Sequence, residues 1–144
     1  MATKRVTVHR LSGHRFLGTN EGGDKVMIDG DSPSTGLRPM ELLLAALAGC
    51  TAYDVVDIME KKRQPLSTYR VETVGERAEE HPKRYTHITV THYASGPHVT
   101  QEALERAVQL SHEKYCSVSA SLNMPIETKA IVEPWQGQQL QQQQ

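Results

Sequence analysis

The chain is 144 residues long, 38% hydrophobic and only 5% aromatic, which suits a single domain with a modest core that a partner subunit would help complete. Its 16 basic and 17 acidic side chains leave a formal net charge of -1 and form no block that would favour nucleic acid or an anionic membrane. Two cysteines are too few for a secreted disulfide scaffold, and "MATKRVTVHR" lacks the apolar stretch of a signal peptide. The longest run of apolar or small residues, Leu42 to Cys50, is too short to span a bilayer. These absences point to a cytoplasmic protein without a nucleic-acid or membrane partner.

In chain order, "KRVTVHRL" alternates, with Val6 and Val8 on one face and Arg5 and Thr7 on the other, as a strand does. "HRFLG" and "KVMID" predict two more strands joined by a turn at Gly22 and Gly23, so a meander is expected. "GDSPSTGLRP" reads as a loop. Pro39 then suits the first turn of a helix, where its missing N–H costs nothing, and Glu41 complements the positive end of the helix dipole. That helix is expected to run to about Lys62, with Lys61, Lys62 and Arg63 suited to its end and Pro65 stopping it. "TYRVETVGE" and "RYTHITVTHY" both alternate and predict a long hairpin across "EEHPK". Thr100 caps a second helix with an apolar stripe of Leu104, Ala107, Val108 and Leu110. "SVSASLN" predicts a further short helix and "PIETKAIVE" a last strand. One domain is expected over residues 1–134, and residues 135–144, rich in Gln, as a disordered tail. With no βαβ alternation, the fold class is α+β with an antiparallel sheet.

The two cysteines carry the functional question. Cys50 lies in "ELLLAALAGCTAYDVV", the most apolar helical stretch, and Cys116 in "LSHEKYCSVSASLN". A cysteine in such a setting is most often a small buried hydrophobe. Yet each has a polar residue four positions away, Asp54 after Cys50 and His112 before Cys116, which a helix would place on one face. A cation such as His112 favours a thiolate nucleophile; Asp54 opposes one unless an Arg or Lys neutralises it. Cys50, Asp54, His112 and Cys116 are also donors of the kind that bind a metal, so a metal-binding reading stands beside the redox one. His9, His14, His81, His87, His92 and His98 are expected mostly in solvent. Ser32 and Ser34 lack the G-x-S-x-G setting of a hydrolase nucleophile.

The segments "SPSTGLRPMELLLAALAGCTAYDVVDIMEKKR" and "LSHEKYCSVSASLN" resemble the OsmC/Ohr family of bacterial cysteine-dependent peroxidases, most of all its YhfA-like OsmC branch, over about residues 3–133. The resemblance implies an OsmC-like fold, an intertwined homodimer with antiparallel sheet wrapped around long central helices. It implies a thiol peroxidase that reduces organic hydroperoxides to alcohols in oxidative stress defence, with no cofactor. Cys50 matches the family's peroxidatic cysteine and Cys116 its resolving cysteine. A Cys50 thiolate would attack the peroxide O–O bond, the sulfenic acid would condense with Cys116, and a dithiol reductant, in the family a lipoylated protein, would reopen the disulfide. Leu43, Leu44, Leu47 and Val55 would offer the substrate an apolar lining.

The family's glutamate, ten positions before the cysteine, is Met40 here. Glu41 follows it but sits half a helical turn out of phase with Cys50, so it would act through the dimer partner or a bent loop. The family's activating arginine comes from the N-terminal strands. Arg15 is the candidate by location, and Arg38, beside Pro39, is its rival. A small-molecule binding module that kept the fold without turnover is the alternative from another class.

Overall fold

A computed structural model describes residues 2–135 and Gly137. The expected disordered tail lies, apart from Trp135 and Gly137, outside the described residues. The chain forms two compact units, Met1–Leu43 and Leu44–Gln144, and one long helix runs from the first into the second.

In the first unit, β1 (Val6–Ser12), β2 (Arg15–Asn20) and β3 (Lys25–Asp29) make the expected antiparallel meander in the order β1-β2-β3. Both turns use glycine where an L side chain would be strained, with φ of 47° at Gly13 and 86° at Gly23. β1 is exposed along its whole length, and Val6, Val8 and Leu11 each keep more than half of their surface in solvent. β3 ends at Asp29, whose buried carboxylate organises the loop that follows. It accepts from the Thr35 N–H at 2.8 Å and hydroxyl at 2.7 Å, from the Asp31 N–H at 2.8 Å, and from Arg15 Nε at 2.7 Å. The Thr35 donors first, then Arg15 and the Asp31 amide, hold this carboxyl far below the usual carboxylate range. Helix α1 (Pro39–Lys61) starts after the loop, and Glu41 Oε1 accepts from the Arg38 N–H at 2.9 Å, satisfying a donor at the helix entrance.

In the second unit, β4 (Thr68–Arg77) and β5 (Tyr85–Ser95) form the expected antiparallel hairpin. Strand β6 (Ile126–Val132) pairs with the other edge of β5, and this pair runs parallel. The cause is the connection. Residues 96–125 carry α2 (Gln101–Leu110), a π-helical turn (Ser111–Tyr115) and α3 (Ser117–Ala120), a crossover long enough to bring the chain back in the same direction. Thr100 caps α2 as expected, its hydroxyl accepting from the Ala103 N–H at 3.2 Å. Leu104, Ala107 and Val108 of the α2 stripe pack with Val55 and Met59 of α1 and Ala94 of β5 to form the core of this unit. Leu110 is half-buried. Past Lys61, Arg63 takes a left-handed conformation (φ 60°), and the Gln64 N–H closes on the Met59 carbonyl at 2.9 Å, a helix stop made without glycine.

Helix α1 buries one stripe, Leu47, Thr51, Val55 and Met59, at the four-residue spacing of a single face. As a whole it is long and apolar enough, by length and composition, to cross a membrane, which the run from Leu42 to Cys50 alone is not; core helices pass the same test. Only 22% of its apolar window is buried within this one chain, and Tyr53 is 78% exposed.

Candidate active site

Cys50 sits in the middle of α1, half-buried, and Cys116 follows the π-helical turn, only 2% exposed; both are free thiols. The two thiols lie close enough to interact, so the fold brings together the two cysteines singled out in the sequence. Burial pushes the Cys116 thiol up to about 11, the neighbouring Cys50 thiol pushes it further, and the Ser119 and Val118 amides pull the other way. The Ser119 N–H donates to Cys116 Sγ at 3.4 Å.

The π-helical turn explains how Cys116 faces α1. Its closing bond runs from the Cys116 N–H to the Ser111 carbonyl at 2.8 Å, five residues back rather than four. That spacing points both Ser111 and Cys116 toward α1. Ser111 Oγ lies 2.7 Å from Asp54 Oδ2 and 2.8 Å from Thr51 Oγ1. A carboxylate only accepts, so Ser111 donates to Asp54 and receives the Thr51 proton. The Ser111 clamp therefore grips α1 one turn beyond the point where Cys116 meets Cys50.

The sequence grouping of Cys50, Asp54, His112 and Cys116 does not assemble as a metal centre. Asp54 is taken by Ser111, and His112 Nδ1 pairs with the Ser119 hydroxyl at 3.2 Å. Among the described residues, no group of three or more His, Cys, Asp or Glu is placed to hold a metal ion. This alternative grouping assumed a regular α-helix from His112 to Cys116, where the structure has a π-turn.

Two further expectations need correction. Leu47 and Val55, expected to line a substrate site, are 2% and 0% exposed in the core, because they form the packing stripe of α1. An open groove of about 400 Å³ lies instead beside Asp54, lined by Asp57, Ile58, Lys61, Lys62, Leu110 and Tyr115. His92, expected in solvent, is fully buried, because it shares the inward face of β5 with Ile88, Val90 and Ala94. The Tyr69 hydroxyl bonds His92 Nδ1 at 2.7 Å and the rings stack; Nε2 has no partner among the described residues. Burial lowers the His92 pKa to about 4, so the ring is neutral near pH 7.

The remaining candidates lie in the first unit. Arg15 is committed to structure, with Nε on Asp29 at 2.7 Å and Nη2 donating to the Pro33 carbonyl at 3.0 Å. Arg38 is exposed, donates through Nη2 to the Gly30 carbonyl at 3.1 Å, and borders a cavity of about 370 Å³ with His14, Phe16, Ile28, Gly30 and Pro39. Glu41 caps the start of α1. Sequence reasoning missed Ser111, Thr51 and Ser119. The only textual signal for Ser111 is its five-residue distance from Cys116, which has meaning only if the turn is π-helical.

Comparison with known proteins gives a consistent result. Residues 30–130 match the model of the family described as OsmC-like protein. The chain is 40% identical over 116 residues to Protein YhfA of Escherichia coli strain K12, covering 81% of this chain and 87% of that one. A crystal structure of a protein from Aquifex aeolicus VF5 superposes with a TM-score of 0.83 at 36% identity, covering 92% of this chain and 98% of that one. The organic hydroperoxide resistance protein OhrB of Bacillus subtilis shares the fold at a TM-score of 0.60 and 18% identity, over 92% of this chain and 98% of that one.

Proposed function

The chain belongs to the OsmC-like protein family, and on that premise we propose that it is a thiol-dependent peroxidase for organic hydroperoxides, acting in oxidative stress defence. The observation that carries this reading is the contact between two free thiols, one half-buried on α1 and the other buried against it. Core cysteines kept only for packing need no thiol partner. Organic hydroperoxide resistance proteins share this fold, which supports the choice of substrate class.

In this mechanism the Cys50 thiolate attacks the distal oxygen of the hydroperoxide. The O–O bond breaks, the alkoxide leaves and takes up a proton as the alcohol, and Cys50 becomes a sulfenic acid. Cys116 then attacks that sulfur, the S–O bond breaks, and the products are a disulfide and water. A dithiol, such as that of a lipoylated protein, returns both thiols by exchange. The groove beside Asp54 supplies apolar wall from Ile58, Leu110 and Tyr115 for the hydrocarbon part of the substrate.

Of the two arginines, Arg38 is our choice for the charge that assists Cys50, because Arg15 is already held by Asp29 and the Pro33 carbonyl. Glu41 serves it by fixing its backbone N–H. The working form is an intertwined homodimer located in the cytoplasm. Supporting the dimer are the largely uncovered α1 and the exposed Val6, Val8 and Leu11, which a second chain would bury.

The test is consumption of cumene hydroperoxide with dihydrolipoamide as reductant, combined with mass spectrometry of the cysteines after one equivalent of peroxide. Turnover with a Cys50–Cys116 disulfide is expected. A protein that binds hydroperoxide but never consumes it would instead be a binding module on the same fold.

A further inference from the structure

Cys116 must lose a proton to close a disulfide, and its surroundings limit where that proton can go. The thiol is buried, and its pKa near 11 leaves about one molecule in ten thousand ionised at pH 7. Ser119 touches both Cys116 and His112: its N–H donates to Cys116 Sγ at 3.4 Å, and its hydroxyl meets His112 Nδ1 at 3.2 Å. All three residues border a void of about 10 Å³ whose other walls are Leu47 and Thr51 of α1, Val90 of β5, and Ile126 and Thr128 of β6. None of those walls carries an ionisable group. Among the described residues bordering the void, His112 is therefore the side chain, other than Cys116 itself, with a basic nitrogen that can accept a proton. The titratable group in contact with Cys116 from α1 is Cys50. His112 is half-buried, so it connects the buried thiol with solvent.

We propose that His112, held by Ser119, receives the Cys116 proton when the disulfide closes. For its oxidant this rests on the peroxidase reading. Cys116 Sγ attacks the sulfur of the Cys50 sulfenic acid, the S–S bond forms and the S–O bond breaks. The thiol proton crosses the void that Cys116 and His112 both border to reach the imidazole, and the imidazolium gives a proton back to the departing hydroxide, so the products are disulfide and water. The two electrons were already removed from Cys50 by the hydroperoxide. His112 touches Ser119 rather than a reacting sulfur, so it is a positioning residue with a proton-accepting task.

The experiment follows closure by quenching with a thiol alkylator and counting free cysteines by mass, between pH 5 and 9. Wild type, His112→Asn and Ser119→Ala are compared. Two oxidants are used in parallel: one equivalent of cumene hydroperoxide, and diamide. Diamide adds to Cys50 through an S–N bond that Cys116 displaces, so closure is measured without peroxide chemistry. Asn at 112 can still hydrogen-bond Ser119 but cannot take a proton. We expect wild-type closure to depend on pH less steeply than closure in either variant. His112→Asn should close at least tenfold more slowly at pH 7, with a rate still climbing at pH 9, and Ser119→Ala should behave in the same way. In each sample the rate of Cys50 oxidation provides the internal reference. A His112→Asn rate within twofold of wild type with the same pH profile would overturn the proposal, as would a wild type in which neither oxidant joins the cysteines. Wild type that closes with diamide but ignores hydroperoxide removes the peroxidase reading alone.

Discussion

Ser111 donates a hydrogen bond to Asp54 across 2.7 Å, and together with its bond to Thr51 that contact fixes the register between the two segments that carry cysteine. Without Ser111 Oγ, which also meets Thr51 Oγ1 at 2.8 Å, the π-helical turn loses both of these bonds to α1 and keeps the Cys50 contact.

Ser111→Ala should therefore do two things. Losing a buried hydrogen bond to a charged group costs about 1.5–3 kcal/mol, which urea melts will read. Closure of the Cys50–Cys116 disulfide should also slow, because the approach of the two sulfurs is no longer fixed. Asp54→Asn keeps an acceptor for Ser111 and should lose less on both counts. Equal losses in the two variants would show that the charge, and not the register, is what matters.

The peroxidase reading predicts selectivity. Burying each methylene contributes about 0.8 kcal/mol, so two of them favour an alkyl hydroperoxide over hydrogen peroxide by about tenfold in kcat/KM. Cys50→Ser should abolish consumption. Cys116→Ser should allow one oxidation of Cys50 and then stall, with a sulfenic acid detectable by dimedone trapping. Oxidation of Cys116 with Cys50 left reduced would reverse the assigned roles.

Arg38→Ala and Arg15→Ala should separate activity from stability. Removing a cation that assists developing negative charge typically costs tenfold or more, so Arg38→Ala should lower peroxide consumption by about that factor with little change in melting. Arg15→Ala strips the buried Asp29 carboxylate of its cation and should lower the melting temperature instead. The opposite pattern would make Arg15 the activating residue.

His92 predicts an acid limit to stability. Its folded pKa of about 4 lies below the unfolded value of 6.5, so between those pH values the unfolded chain binds more protons than the folded one. Stability is thus intact above pH 6.5 and falls as the pH drops toward 4, by on the order of 3 kcal/mol in all. His92→Phe should flatten the denaturation midpoint over that window. An unchanged slope in the variant would mean that other groups set the acid limit.

The elements were legible because their signals are local. Alternation in "TYRVETVGE", Pro39 and Glu41 at the start of α1, and Thr100 ahead of α2 each act within a turn or a strand. Both cysteines were legible through the motifs around them. Less visible was everything that depends on contacts between distant segments. The burial of His92 follows from the strand face it shares with Ile88 and Val90, and a histidine in an alternating strand reads equally well as solvated. The failed metal grouping came from reading "SHEKYC" with a four-residue period. Nothing in those residues announces a fifth residue in the turn; the extra residue is stabilised by Thr51 and Asp54, some 60 positions earlier.

The parallel pairing of β6 with β5 has a consequence for how the molecule is made. The hairpin of β4 and β5 closes across residues 78–84, whereas β6 reaches β5 only across residues 96–125. A loop about four times longer costs about 1 kcal/mol more to close, and nonlocal pairing slows folding, so β6 docks after the hairpin is in place. Cys116 lies inside that late segment, and Cys50 precedes the hairpin. During refolding, the moment at which an oxidant can first join the two thiols should therefore report the docking of this long crossover against α1, a step separate from the closing of the hairpin.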